Sequence, residues 1–244
     1  MDAAVELDGV AKRFGRRLVL EHVSLRVARG RRLGVIGPAA GGKSVLLKLI
    51  AGLHAPDAGR VTVHGARIGV LFQNCALFDF LDVFDNVAFP LVYAPKTDAA
   101  LTSDQINARV LARLRAVGLA GAERKTPAEL SGGMKKRAAL ARATVAAPDV
   151  VLYDEPTAGL DPVTTSKIYD LLRADHDAGG GTAIVVSSDV AAVAAFADTI
   201  AFIGRGGLQW IGPAAALYDA DDAEVRRFAR GDLTSDATSE GEAA

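Results

Sequence analysis

Gly37-Pro38-Ala39-Ala40-Gly41-Gly42-Lys43-Ser44 is the stretch that decides the fold. It matches the phosphate-binding loop, G-x-x-x-x-G-K-[ST], in the setting that gives such a match meaning. A buried strand over residues 31–36 runs into it, and a helix over residues 45–53, apolar on nearly every side, follows. Gly37, Gly41 and Gly42 permit positive φ and a close backbone approach, so successive N–H groups form a nest for an anion. Lys43 then reaches the β- and γ-phosphates of a nucleotide, and Ser44 offers its hydroxyl to Mg²⁺. Nucleotide binding on an α/β scaffold is the reading.

The bulk properties agree. A chain of 244 residues, half of them apolar and 6% aromatic, is long enough for one large α/β domain or a domain with a subdomain. The net charge of −1 excludes a strongly basic nucleic-acid surface, so no nucleic-acid partner is expected. The single cysteine, Cys75, cannot form an internal disulfide and fits a reducing compartment; a small buried hydrophobe is its expected role. The first eight residues carry acids where a secretory signal needs basic and then apolar residues. No window offers the ~18 uncharged apolar residues of a spanning helix. Contact with a membrane is therefore expected through a partner.

Two further segments handle phosphate. Leu130-Ser131-Gly132-Gly133-Met134-Lys135-Lys136-Arg137 places a serine and two glycines before good helix formers that run to Pro148. Ser131 caps the first turn, and Gly132 and Gly133 leave N–H groups uncovered at an end whose dipole attracts anions. An ordinary capped helix accounts for this as well; the company it keeps breaks the tie. Val150-Val151-Leu152-Tyr153-Asp154-Glu155-Pro156 reads as a buried strand ending in two carboxylates. Beside a phosphate loop, Asp154 would hold the Mg²⁺ water shell and Glu155 would polarise the attacking water as general base; a mere cap and turn is the alternative.

The order of these segments, followed by Ala158-Gly159-Leu160-Asp161-Pro162, resembles the nucleotide-binding subunit of ABC transporters. The resemblance covers residues 5 to about 230. It implies a P-loop NTPase (RecA-like) core, an N-terminal antiparallel β subdomain and an inserted α-helical subdomain: an ABC ATPase domain over 1–230, with the helical part at about 74–147. It implies a homodimer that sandwiches two ATP molecules, with Ser131, Gly132 and Gly133 of one subunit completing the site of the other. Residues 158–162 then cross the dimer interface. Phe14, in Lys12-Arg13-Phe14-Gly15, falls where the family stacks an aromatic on adenine, although a core phenylalanine is the default. Gln73 falls where a glutamine touches Mg²⁺ and the attacking water and hinges the helical subdomain; a surface glutamine is the bland alternative. The implied partner is an integral membrane permease, with this subunit peripheral at the cytoplasmic face of the inner membrane.

Leu71-Phe72-Gln73, Ala76-Leu77-Phe78 and Val83-Phe84-Asp85-Asn86-Val87-Ala88-Phe89-Pro90-Leu91 resemble the ATPases of Mla or Mce-type lipid transport systems, as does Val225-Arg226-Arg227-Phe228 near the end. That implies lipid, such as phospholipid, as cargo between bacterial membranes, and an Mce-type substrate-binding protein and a small STAS-type subunit as further companions. The phenylalanine-rich residues 79–90 form a groove for a coupling helix of the permease, or plain subdomain core, or both.

The remaining segments follow from periodicity. Residues 5–10 and 18–27 alternate as half-exposed antiparallel strands, and 61–63 and 68–72 are strands. The stretch 65–71 is shorter than the family usually has, which trims the N-terminal lobe. Helices are expected over 105–117, with Ile106, Val110, Leu111 and Leu114 inward, and over 134–147, 163–175 and 191–198. Strands are expected over 183–187, 199–203 and 208–211. From Gly231 the tail is polar and is expected to be disordered or to pack on a neighbouring subunit.

One departure bears on rate. At Val186-Ser187-Ser188-Asp189 the family pattern has a histidine where this chain has Ser188, and His22, His54, His64 and His176 all lie elsewhere in the sequence. Losing one preorganised donor at a charged transition state costs ~10²–10³ in rate. Serine keeps a donor on a shorter arm, so slow hydrolysis is expected. Two rival readings follow: a soluble ABC ATPase of cytosolic assembly, and a nucleotide-gated scaffold that hardly turns ATP over.

Overall fold

The computed structural model describes residues 2–65, 67–93 and 101–232. Six strands form one sheet in the order β5-β6-β7-β3-β8-β9: β3 (Arg32–Ile36), β5 (Ile68–Leu71), β6 (Val150–Asp154), β7 (Thr182–Val186), β8 (Thr199–Gly204) and β9 (Gly207–Pro213). The first five pair in parallel and β9 closes the edge antiparallel to β8. Successive side chains of a strand point to opposite faces, and both faces here are covered. Leu152, Ile184, Val186, Ala201 and Ile203 face one core; Tyr153, Ala183, Val185, Ile200 and Phe202 face the other. This is why the parallel strands read as continuous apolar runs.

The first core holds α1 (Lys43–Ile50) and a three-stranded antiparallel sheet, β2-β1-β4. Its strands are β1 (Ala3–Phe14), β2 (Arg17–Ala28) and β4 (Ala58–Val63). The second core holds the remaining helices: α2 (Val83–Tyr93), α3 (Ser103–Ala116), α4 (Gly132–Thr144), α5 (Pro162–Gly179), α6 (Val190–Phe196) and α7 (Ala223–Arg230). The inserted α2–α4 thus share apolar packing with the sheet.

Several boundaries differ from the sequence reading. Phe14 ends β1 instead of lying between two strands. The first helix stops at Ile50, because Gly52 turns left-handed at φ 71°, and Leu53 beyond it is exposed. The helix expected over 134–147 begins two residues earlier and ends at Thr144. On α3, Val110 and Leu114 are buried as expected, Ile106 packs against the core, and capping by Thr102 and Gln105 fixes its start. Of the polar tail, only Gly231 and Asp232 fall among the described residues.

Candidate functional site

The phosphate-binding loop leaves the carboxyl end of β3 between neighbours β7 and β8. Gly37 has φ 146°, and a Cβ there would lie 2.0 Å from the carbonyl oxygen of Ile203, so only glycine fits. Ala40 at φ 57° and Gly42 at φ 98° continue the left-handed turns that aim N–H groups inward. Lys43 is buried, and its Nζ donates to the carbonyls of Gly37 at 2.7 Å and Pro38 at 2.9 Å. Burial pulls its ammonium below the ordinary lysine value, against the opposing pull of Glu155 and Asp154.

Ser44 Oγ donates to Asp154 Oδ1 at 2.8 Å, across 110 residues of chain. Burial pushes the Asp154 carboxyl above its ordinary value. A hydroxyl and a partly desolvated carboxylate at this spacing are hard oxygen donors of the kind Mg²⁺ takes together with phosphate. The residues present therefore fit the ion that the loop implies.

Glu155 follows at φ 46°, an uncommon conformation outside glycine. Its N–H donates to Val186 O at 2.8 Å. Its Oε2 accepts from the hydroxyls of Ser187 and Ser188, each at 3.2 Å. Ser188 thus turns its hydroxyl toward the Glu155 carboxylate. Ser187 was missed by the sequence reading; it is buried and also accepts from Asp189 N–H at 3.1 Å. The four histidines lie elsewhere: His22 beside Gly9, His54 edge-on to Phe14, His64 near Glu6, and His176 on α5.

Gln73 is exposed just beyond β5, and its carbonyl accepts from Lys136 Nζ at 2.6 Å. Phe14 is 45% exposed; Lys12 Nζ stands 5.5 Å from its ring centroid. An aromatic surface is therefore available to a base.

Ser131 caps α4, accepting from Met134 N–H at 3.3 Å. Ser131 and Gly132 are exposed, and Gly132 and Gly133 rest on Leu160 and Thr164. Gly37 rests on Ile203 instead. The two glycine-built ends therefore sit on different parts of the subunit. Asp161 caps α5 by accepting from Thr164 N–H at 2.9 Å, and Thr164 is the neighbour of Gly133.

The phenylalanine-rich segment builds both surface and core. Asn86 is fully buried and fixes the chain before α2, accepting from Phe78 N–H and donating to the carbonyls of Phe78, Leu81 and Asp82. Phe78, Phe80, Phe89 and Tyr93 pack in series at 4.7–5.7 Å between ring centroids. Phe80 is 83% exposed. A cleft of about 520 Å³ opens beside them, lined by Ile68, Phe72, Phe78, Phe89, Pro90 and Arg142 among others. Among the described residues no helix is long and apolar enough to cross a membrane.

The sequence profile of the ABC transporter family matches residues 20–158. The chain is 38% identical to the intermembrane phospholipid transport system ATP-binding protein MlaF of Escherichia coli, over 93% of this chain and 88% of MlaF. It is 39% identical to the chloroplastic protein TRIGALACTOSYLDIACYLGLYCEROL 3 of Arabidopsis thaliana, over 95% and 75%. Among solved structures it is similar to the ATP-binding cassette MJ0796, a dimer in a post-hydrolysis state with ADP and Pi, at TM-score 0.78 and 28% identity over 86% of this chain and 98% of that one. The chain belongs to the ABC transporter family, as one of its ATP-binding cassettes.

Proposed function

We propose that this chain is the ATP-hydrolysing subunit of a lipid transporter of the Mla type, working as a homodimer beneath a membrane permease. The bond between Ser44 and Asp154 carries the hydrolytic half of the reading. It joins the phosphate loop to the strand that presents Glu155, so the two ends of the reaction share one frame. The loop N–H groups and Lys43 bind the triphosphate; Ser44 and Asp154, with Gln73 reaching in from its loop, would hold Mg²⁺, which neutralises charge developing on the phosphates. Glu155 accepts a proton from the attacking water, and Ser187 and Ser188 fix which of its oxygens is engaged. Phe14 stacks on the base. Ser131, Gly132 and Gly133 of a second copy supply donors from the opposite side.

Lipid as cargo is supported by the likeness to MlaF, of an intermembrane phospholipid transport system, and by the partly exposed aromatic series, which offers a permease helix an apolar seat. ATP binding closes the pair because bound nucleotide adds its linkage energy to the closed state alone; hydrolysis removes it. The domain occupies residues 1–230, with the helical part at about 74–147 turning on Gln73. An Mce-type protein and a STAS-type subunit would complete the assembly at the cytoplasmic face of the inner membrane. The rival scaffold reading draws on Ser188 alone.

Glu155→Gln tests the motor. In the complex purified with its membrane companions, ATPase activity is expected to fall by about 10²–10⁴ with ATP binding kept, and lipid transfer between vesicles is expected to stop. Unchanged ATPase in this variant overturns the motor reading, and transfer that survives the loss of ATPase overturns the coupling.

A further inference from the structure

Helix α4 carries two buried cations for which hydrolysis as described has no use. Arg142, 8% exposed, donates to the carbonyls of Cys75 and Ala76 at 2.7 Å each. Lys136, 5% exposed, donates to the carbonyls of Gln73 at 2.6 Å and Glu155 at 3.0 Å. Burying an ammonium is costly, and burial here draws the Lys136 ammonium below its ordinary value, against the opposing pull of Cys75, Glu155 and Asp154. Both of its hydrogen bonds go to neutral main-chain oxygens, each of which satisfies only part of that cost. A methionine would fill the same space with no charge to desolvate. The cation's contribution is therefore sought in what it joins.

The two carbonyls belong to different parts of the fold. Gln73 lies in the turn after β5, where Cys75 and Ala76 have φ of 64° and 46°. Glu155 follows β6 directly, with φ 46°. Backbone in such conformations persists only where its surroundings hold it. The Glu155 carbonyl is held from a second side by Ala158 N–H at 3.2 Å, and its N–H by Val186. Lys136 lies between the two turns, and its helix begins at the exposed Ser131 and Gly132.

We propose that Lys136 is a positioning residue for hydrolysis, stapling the Gln73 turn to the Glu155 turn so that both side chains face the γ-phosphate only when α4 is seated. The inference rests on the reading of Glu155 as general base. It gives α4 a direct mechanical tie to the Glu155 carboxylate of its own subunit. It also places the helical segment, Gln73 and Glu155 in one hydrogen-bonded unit. A seat shifted by about 1 Å then costs on the order of 10²-fold in rate without touching the groups that bind phosphate.

The test uses the full chain as a homodimer with MgATP. Lys136→Met is expected to lower kcat between about 10-fold and 100-fold while KM for MgATP stays within about twofold, and Lys136→Arg is expected to recover part of the loss because it keeps a cationic donor. Wild-type kcat in Lys136→Met overturns the inference, as does a rise in KM with kcat unchanged. If Lys136→Met does not fold, judged by its thermal melt, Lys136→Leu, which likewise carries no donor, has the same two outcomes. Glu155→Gln run alongside separates the failures. If that variant stays active, the general-base reading falls and this inference with it. If it is dead while Lys136→Met runs at the wild-type rate, only the staple falls.

Discussion

The loop at Gly37 and the helix end at Ser131 are made of the same materials, glycines and uncovered N–H groups, yet the subunit treats them differently. Gly37 is demanded by its own fold: a Cβ there would overlap the Ile203 carbonyl oxygen at 2.0 Å. Gly132 is not. It lies in ordinary helix, and a Cβ there would meet Leu160 Cδ2 at 3.8 Å, an unstrained contact. Nothing in the backbone or packing at this first helical position requires glycine. The first loop is furnished from within, by Lys43, Ser44 and Asp154. The second end is exposed and has Leu160 and Thr164 as its neighbours. A glycine with room for a side chain is explained by something that approaches from outside.

Substitutions break this contrast in order of size. Ser131→Arg blocks the outside approach and is expected to cost about 10²–10³ in kcat, the value of a lost preorganised donor set, while nucleotide binding to the single subunit, followed by the quenching of a fluorescent ATP analogue, stays as it was. An equal loss of binding in that variant would place Ser131 in its own subunit's pocket. Gly37→Ala should do the reverse. Strain of about 3 kcal/mol predicts MgATP affinity lowered on the order of 100-fold, read by calorimetric titration. Its counterpart Gly132→Ala should keep that affinity and melt no lower than wild type, yet hydrolyse about tenfold more slowly, because the added methyl would stand where the proposed dimer brings the second subunit's phosphates. The smallest effect belongs to Ser188→His, which should raise kcat several-fold in a steady-state assay by restoring a longer donor beside Glu155. A lowered kcat would show that the hydroxyl pair on Glu155 is the better arrangement here.

Legibility in the sequence followed the same divide. Gly37 to Ser44 and Val150 to Glu155 could be read because their spacing is set by local geometry: a turn between strand and helix, a strand that stops at its carboxylates. Their meeting through Ser44 and Asp154 was implied by the chemistry they share. Phe14 at a strand end was misplaced because the alternation of residues 5–10 fades before the strand does; β1 has register shifts beyond Leu7, which break the period of two. Lys136 and Ser187 escaped notice for another reason. One looks like a solvated lysine in a basic run and the other like the end of an apolar strand, and their roles depend on contacts 63 and 32 residues away. Asn86 escaped likewise, since four bonds to nearby main chain leave no periodic trace.

Static light scattering on Glu155→Gln, with and without MgATP, tests most directly the claim that each subunit holds half of each site. Binding without turnover should trap the closed pair, so the mass should double when MgATP is added and stay single when Ser131→Arg is built into the same chain. A mass that remains that of one subunit with saturating MgATP, in the presence of the membrane companions as well as alone, would contradict the account.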